Sequence, residues 1–306
     1  MKKAILLFLS LVLCLTLFAC NDSPPPVTDG ENNQTEVISP MKIMSYNVQT
    51  GTEDSVRSRL PDVVANVNAF SPDVLGTQEL NAYWITALTE CGFFDTYAMV
   101  GEPRSEADSH VASNEYSAIF YKKEVFDLVA SGTYWLSETP AEISRLDSCD
   151  YNRIMTYAVL SRKSDGYKFV HVNTHLEWAH KEVDTNLLQV GIMLDMAGDV
   201  LFENGDMPVI FTGDFNATVN SPGYNAMLDW GVSDARYDAE ISTDNGTFSD
   251  GEWVEDSKGN SVYNGQMIDF CFTTDYDFTV ERFAVGNDLR GSDHFPICID
   301  LTPAKK

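Results

Sequence analysis

Between Lys42 and Leu301 the apolar residues come in short runs, each too brief for a helix and most closed by Gly, Pro, Asn or Asp. Runs of this kind read as strands. They lie at Lys42–Asn47, Val74–Gln78, Ser117–Tyr121, Tyr157–Leu160, Tyr167–Asn173, Pro208–Thr212, Met267–Phe272 and Phe295–Leu301. Helical patterning is found at Val63–Ala69, Ala82–Cys91, Val183–Phe202 and Gly223–Trp230. In the third of these, Val183, Leu187, Val190, Leu194 and Leu201 recur at helical spacing. In the fourth, Ser221-Pro222 supplies a cap followed by proline in the first turn. Strands in excess of helices call for sheets packed face to face with helices outside. No repeat or linker divides Met41–Lys306, so residues 41–306 are expected to form one domain.

The start of the chain is different. Lys2 and Lys3 precede an uncharged apolar run from Ala4 to Ala19, the pattern of a secretory signal peptide over residues 1–19. The run is shorter than a membrane span requires. It ends in Leu17-Phe18-Ala19-Cys20, which resembles the lipobox of bacterial lipoproteins, with Phe18 bulkier than usual. The resemblance implies cleavage before Cys20 and lipidation of its thiol, hence an exported, membrane-anchored protein on the periplasmic or cell-surface face. Residues 20–40, with Pro24-Pro25-Pro26 and little to bury, are expected to be a disordered tether.

Charge narrows the partners. The chain has 20 Lys+Arg against 46 Asp+Glu, and without Lys2 and Lys3 the balance is 18 against 46, a net charge near −28. A surface so acidic repels polyanions, which disfavours nucleic acid as the main substrate without excluding a metal-assisted nuclease. Of the six cysteines, Cys14 would leave with the signal and Cys20 be acylated. Cys91, Cys149, Cys271 and Cys298 remain, with no CxxC spacing; Cys271 and Cys298 sit in apolar runs as small core residues.

Several strand-like runs end abruptly in polar groups. Lys42–Asn47 ends in an amide, and Asp73–Glu79 in the Glu79 carboxylate. Phe169–His175 ends in an imidazole, and Val209–Asn216 in Asp214 and Asn216, which point to one side of an extended chain. Met267–Phe272 carries Asp269 inside an apolar strand, where a lone acid is costly without a partner. His294, in Ser292-Asp293-His294, is the obvious one. Taken singly, each of these residues also has a structural reading, as a cap, a turn or a core group. His110, His171 and His180 are read as structural.

These six segments, in this order, resemble the endonuclease/exonuclease/phosphatase superfamily, which includes deoxyribonuclease I. Gly213-Asp214-Phe215-Asn216 and Ser292-Asp293-His294 are the most specific. The resemblance implies an α+β fold, a four-layered α/β/β/α sandwich of two mostly antiparallel sheets flanked by helices, with the site at one mouth. By similarity Glu79 holds a metal ion directly, with Asn47 and Asp293 completing or supporting the oxygen shell, a donor set suited to Mg²⁺ or Mn²⁺. The same similarity makes Asp214 the group that orients or deprotonates water, Asn216 and His175 donors to the phosphate, and His294, oriented by Asp269, a further donor or acid. Arg153 matches an arginine position and supports the site by pairing with Glu79 or phosphate.

The function expected is divalent-metal-dependent phosphoester hydrolysis by a monomer, on a small phosphoester. The rival readings are a nuclease, a sphingomyelinase-like phospholipase that would insert Phe93-Phe94 or Tyr134-Trp135 into a membrane, and a non-enzymatic binding module. The segments Gly101–Glu115, Glu138–Asn152 and Asp234–Asn264 are expected to be the variable loops that select the substrate.

Overall fold

The computed structural model describes residues 39–106, 114–178, 184–287 and 290–304. The signal segment, Cys20 and the tether up to residue 38, as well as His110, His180 and Val183, lie outside the described residues.

Two mixed sheets carry the fold. The first has seven strands in the order β10 (Ile241–Ser242), β14 (Phe278–Val285), β15 (Ile297–Pro303), β1 (Met41–Asn47), β2 (Val74–Gln78), β4 (Ile119–Lys122) and β3 (Tyr97–Val100). The second has six, in the order β5 (Phe126–Trp135), β6 (Ile154–Arg162), β7 (Lys168–His175), β8 (Val209–Asp214), β13 (Asp269–Thr274) and β9 (Val232–Asp234). Most neighbours are antiparallel; β10–β14, β1–β2 and β7–β8 run parallel. Helices α1 (Glu53–Phe70) and α2 (Ala82–Glu90) cover the first sheet, while α4 (Thr185–Asn204) and α5 (Pro222–Trp230) pack with core residues of the second. Two single-turn helices, α3 (Phe93–Thr96) and α6 (Ala235–Asp238), lie in connections.

The strand period of two sorts β1 between layers. Met44 and Tyr46 pack with Val56, Val63 and Trp84 beneath the helices, whereas Met41 and Ile43 join the core between the sheets. Ser45 and Asn47 therefore also face the other sheet. At that level the interior turns polar. Gln78 donates Nε2–H to Ser45 Oγ (3.0 Å) and to Asn173 Oδ1 (2.8 Å), and Asn173 donates across to the carbonyls of Thr77 (2.8 Å) and Ala118 (3.0 Å). Gly76 permits this approach, since a Cβ there would come within 2.5 Å of both Asn173 Oδ1 and Thr212 Oγ1.

Several elements depart from the sequence expectations. α1 starts at Glu53 rather than Val63, because Thr52 caps it and Val56 already faces the core, so the helix runs through Pro61. In α4 the buried face is Asn186, Gln189, Val190, Met193, Leu194, Ala197 and Val200, so Val190 and Leu194 of the expected stripe belong to it, whereas Leu187 is exposed. Strand β5 carried no apolar pattern because it is an edge strand whose middle is largely exposed. The span 234–264 is no plain loop. It contains α6, β10 and a ribbon of β11 (Trp253–Glu255) and β12 (Ser261–Tyr263), and its Tyr263 and Trp253 rings pack on Phe295. Cys91, Cys149, Cys271 and Cys298 are in no disulfide, and Cys91 alone of the four is exposed.

Candidate active site

Strand register gathers the polar strand ends at one mouth. Asn47 pairs with Gln78, which places Glu79 one residue beyond it; His175 pairs with Asp214, and Asp214 with Asp269. Glu79 and Asn216 turn abruptly out of their strands with φ of 58° and 49°, left-handed conformations that cost non-glycine residues on the order of 1 kcal/mol or more.

Asn47 joins the sheets. Its Nδ2 donates to Glu79 Oε1 (3.1 Å) and to Asp214 Oδ2 (3.0 Å), while its Oδ1 accepts from the Gln49 backbone N–H (3.0 Å). A backbone N–H can only donate, so the amide oxygen is fixed toward Gln49 and the NH₂ toward the two carboxylates. Asn47 thus supports an oxygen shell rather than completing it. Glu79 Oε2 accepts from Thr50 N (2.9 Å), which leaves lone pairs on both Glu79 oxygens. Asp293 is half-buried, and burial, joined by repulsion from Glu79, raises its pKa. Two carboxylates that disfavour each other's charge gain from a cation between them.

Arg59 had no sequence signal, yet it ties these loops together. Its guanidinium donates to the carbonyls of Val48 (2.8 Å), Gln49 (2.7 Å), Thr50 (3.2 Å) and Gly291 (3.1 Å) and lies over the Trp84 ring. Thr247 does the same for the acid beside His294, its Oγ1 accepting from the backbone N–H of Ile268 and Asp269 (3.2 Å each).

Asp214 is buried at the centre. Its Oδ1 accepts from Asn216 N (2.9 Å), and its Oδ2 lies 3.5 Å from His175 Nε2 and 3.7 Å from His294 Nε2. Burial and the nearby Asp269 charge push its pKa up to about 7. His294 Nδ1 donates to Asp269 Oδ2 at 2.8 Å. Burial opposes protonation of this ring, but Asp269, Asp214 and Asp293 outweigh it and hold the pKa up at about 10. Asp214, Asp269 and His294 have the spacing of a metal-binding group. The Glu79 and Asp293 carboxylates offer oxygen donors only, the set that a hard divalent ion such as Mg²⁺ favours.

His175 is the opposite case. Burial first, then the cations Arg153, Arg104 and His294, hold its pKa well below the ordinary value, so the ring is neutral. Asn216 Nδ2 donates to Leu176 O (3.0 Å) and approaches His175 Nε2 (3.0 Å), so Nε2 accepts and the ring proton sits on Nδ1. His175 and Asn216 were expected to offer donors to phosphate; here they bond each other. Arg153 also differs from expectation: its carboxylate neighbour is Glu177 (Nη2–Oε1 3.5 Å), not Glu79. Arg104 forms a bidentate pair with Glu115 (2.8 and 3.1 Å), and burial lifts the Glu115 carboxyl to about 7 despite the opposing pull of Arg104. Tyr151 lies over both guanidiniums.

This geometry is matched by known proteins. Residues 44–294 fit the Endonuclease/Exonuclease/phosphatase family. The chain belongs to that family. It is thereby one of a family of phosphoester-hydrolysing enzymes, and the two sheets with flanking helices are the family's sandwich. A family protein of Bacteroides thetaiotaomicron is 26% identical, with 86% of this chain and 98% of that one covered and a TM-score of 0.70. The mannosyl-6-phosphatase of Bacteroides thetaiotaomicron VPI-5482 is 25% identical over 86% of this chain and 99% of its own, also with a TM-score of 0.70. The Ccr4 3'-5'-exoribonuclease subunit of the CCR4-Not complex of Debaryomyces hansenii is 23% identical over 289 residues, 82% of this chain and 34% of its own. The chain spans about a third of the length of the curated exoribonucleases it matches first.

Proposed function

We propose that the protein hydrolyses small phosphoesters with a divalent ion, Mg²⁺ or Mn²⁺, held by Glu79 and Asp293. The observation that carries this reading is the convergence at the mouth of the Asp214 carboxylate, held by Asn47, with the His294 ring, whose Nε2 lies 3.7 Å from Asp214 Oδ2 and whose Nδ1 is held by Asp269 at 2.8 Å. Neighbouring groups pushed to opposite states are how one site supplies a base and an acid together. The ion, when bound, offsets charge on the phosphoryl and leaving oxygens. Asn47 and the Asn216 N–H hold the two Asp214 oxygens while that carboxylate takes a proton from the attacking water. His294, held through Nδ1 by Asp269, presents Nε2–H to the phosphoryl group.

Support for a small substrate comes from the net charge near −28 and from the mannosyl-6-phosphatase, which is matched over its whole length while the exoribonuclease is matched over a third. The phospholipase reading loses its membrane loops. Phe93 is buried on Tyr97, Trp135 is buried with its indole N–H on the Arg104 carbonyl, and Tyr134 stacks on Tyr157. Among the described residues no helix is long and apolar enough to cross a membrane. We place the enzyme outside the cytoplasm, anchored through Cys20.

The test is a panel of sugar phosphates, nucleotides, duplex DNA, RNA and sphingomyelin. Turnover should vanish with chelator and return with Mg²⁺ or Mn²⁺. Full activity in excess EDTA rejects the ion, and a kcat/KM for DNA above that of every small phosphoester replaces this reading with a nuclease. Detergent-phase partition that is unchanged by Cys20→Ala rejects the anchor.

A further inference from the structure

We propose that a buried polar layer just behind the mouth, centred on Asn173 and completed by Ser45, Gln78 and Thr212, fixes how the two sheets slide against each other and so sets the span that Asn47 bridges to Asp214. The four are positioning residues for the mouth. The proposal rests on the phosphoester reading of that mouth.

Each member stands one or two residues before a mouth residue: Ser45 before Asn47, Gln78 before Glu79, Asn173 before His175 and Thr212 before Asp214. All four are at most 1% exposed. With a strand period of two, Ser45, Asn173 and Thr212 face the same interior as the mouth residues that follow them. Asn173 uses every hydrogen-bonding site of its amide. Its Nδ2 donates to the carbonyls of Thr77 (2.8 Å) and Ala118 (3.0 Å), and its Oδ1 accepts from Gln78 Nε2 (2.8 Å) and Thr212 Oγ1 (3.1 Å). Carbonyls can only accept, so the orientation of the amide is fixed. Three of these bonds run from the second sheet to residues on or next to the first, and the fourth ties Asn173 to β8, the strand that carries Asp214. Gln78 reaches on to Ser45 Oγ (3.0 Å), beside Asn47 on β1.

Apolar contact between two sheets has no direction and tolerates a slide. Hydrogen bonds do not, because a displaced partner leaves a buried donor or acceptor bare. The Asn47 Nδ2–Asp214 Oδ2 bond at the mouth, 3.0 Å long, itself joins the sheets, so its geometry depends on their register. Gly76 leaves the layer no slack: a Cβ there would stand 2.5 Å from Asn173 Oδ1 and from Thr212 Oγ1. A network that served only to satisfy its own members could lie at any level of the sandwich, whereas this one follows the mouth along all four stretches of chain.

The full-length chain in detergent should be assayed with saturating Mg²⁺ on its best small phosphoester as wild type, Asn173→Ser, Gly76→Ala, Thr212→Val and Val172→Ala. Val172 lies on the same strand as Asn173, buried and outside the layer, and its truncation controls for lost stability. Asn173→Ser and Gly76→Ala should lower kcat about 10–100-fold with KM within about three-fold, the scale of a small misplacement, and Thr212→Val about three- to ten-fold. Val172→Ala should change kcat by less than about three-fold at a comparable loss of urea midpoint. On an Asn47→Ala background Asn173→Ser should add little, because the span it sets is no longer bridged. A kcat that survives the layer variants, falls equally in Val172→Ala at equal stability, or falls multiplicatively in the double mutant overturns the proposal. If Asn173→Ser does not fold, Gly76→Ala and Thr212→Val decide on the same terms. If no phosphoester is turned over, the phosphoester reading fails separately. The ¹⁵N–¹H signals of the Asn47 side-chain NH₂ then decide: they should shift in the layer variants and stay in Val172→Ala, and signals unchanged in every variant overturn the layer's role.

Discussion

The two sides of Asp214 carry the same side chain in opposite states. His294 and His175 are both buried, and both approach Asp214 Oδ2 within 4 Å. On the His294 side the neighbours are Asp269, Asp214 and Asp293, and the ring is cationic with a pKa near 10. On the His175 side, where Glu115 and Asp214 also approach the ring, burial together with the cations Arg153, Arg104 and His294 keeps it neutral. Burial pushes both toward neutrality, so burial cannot be what separates them. The sign of the surrounding charge decides, and in a water-poor mouth it outweighs the desolvation that would otherwise neutralise His294.

The largest effect should come from removing the cationic side. His294→Ala is expected to lower kcat by about 10²–10⁴-fold, the range for a positioned donor or proton-transfer group. Asp269→Asn, which leaves the ring in place without its carboxylate, should cost less. It should add little on top of His294→Ala, because residues acting as a unit are non-additive. A double mutant whose loss equals the product of the single losses would show that Asp269 acts independently and that the charge state of His294 is set elsewhere.

Next in size is the support beneath that side. Thr247→Val keeps the shape but strips the oxygen that accepts from Ile268 N and Asp269 N, leaving two buried donors bare at a cost of about 1–3 kcal/mol. Urea denaturation should register that loss, and kcat should fall more than KM changes as Asp269 loses its register. Unchanged stability would mean that another acceptor replaces the hydroxyl.

The two sides also differ in how far they can be read from sequence. Asp269 and His294 are legible because an acid inside an apolar strand demands a partner, and the strand ends at Asn47, Glu79, His175 and Asp214 mark one mouth once the register is known. Thr247 was hidden in a stretch that reads as an acidic loop, although its hydroxyl is buried and the stretch folds back on Phe295. Arg104 was equally hidden. It precedes residues outside the described chain and meets Glu115 and Arg153 only after long segments close on each other, so no spacing rule reports it. Edge strand β5 was missed for a related reason, since its exposed middle lacks the period that betrays an internal strand.

The neutral side yields a smaller effect, read by spectroscopy. Arg104→Gln removes one of the cations that hold His175 neutral, so the His175 pKa should rise toward its ordinary value while burial and Arg153 keep it below. Proton NMR of the ring across pH 4–8 follows this directly. A His175 pKa that does not move would assign its neutrality to burial alone, and the contrast with His294 would then reduce to the carboxylates on the other side.

The smallest expected effect concerns a third histidine that has neither kind of neighbour. His171 sits wholly inside the sandwich, its Nε2–H donating to Thr212 Oγ1 at 2.8 Å and its Nδ1 without a partner. Burial alone lowers its pKa to about 3, from 6.5 when unfolded. Because the folded value is the lower one, the unfolded chain takes up a proton first as pH falls. The stability tied to this residue is therefore complete above pH 6.5 and is lost progressively toward pH 3. His171→Gln keeps a donor for Thr212 and does not titrate, so its stability should fall less on acidification, by about 2 kcal/mol between pH 7 and pH 5 relative to wild type. All other titrating groups are common to both proteins and cancel in the difference between their urea denaturation free energies. Parallel curves for the two proteins would show that the core admits a charged His171, and burial would then lose its standing as the common force against which the charges around His175 and His294 are weighed.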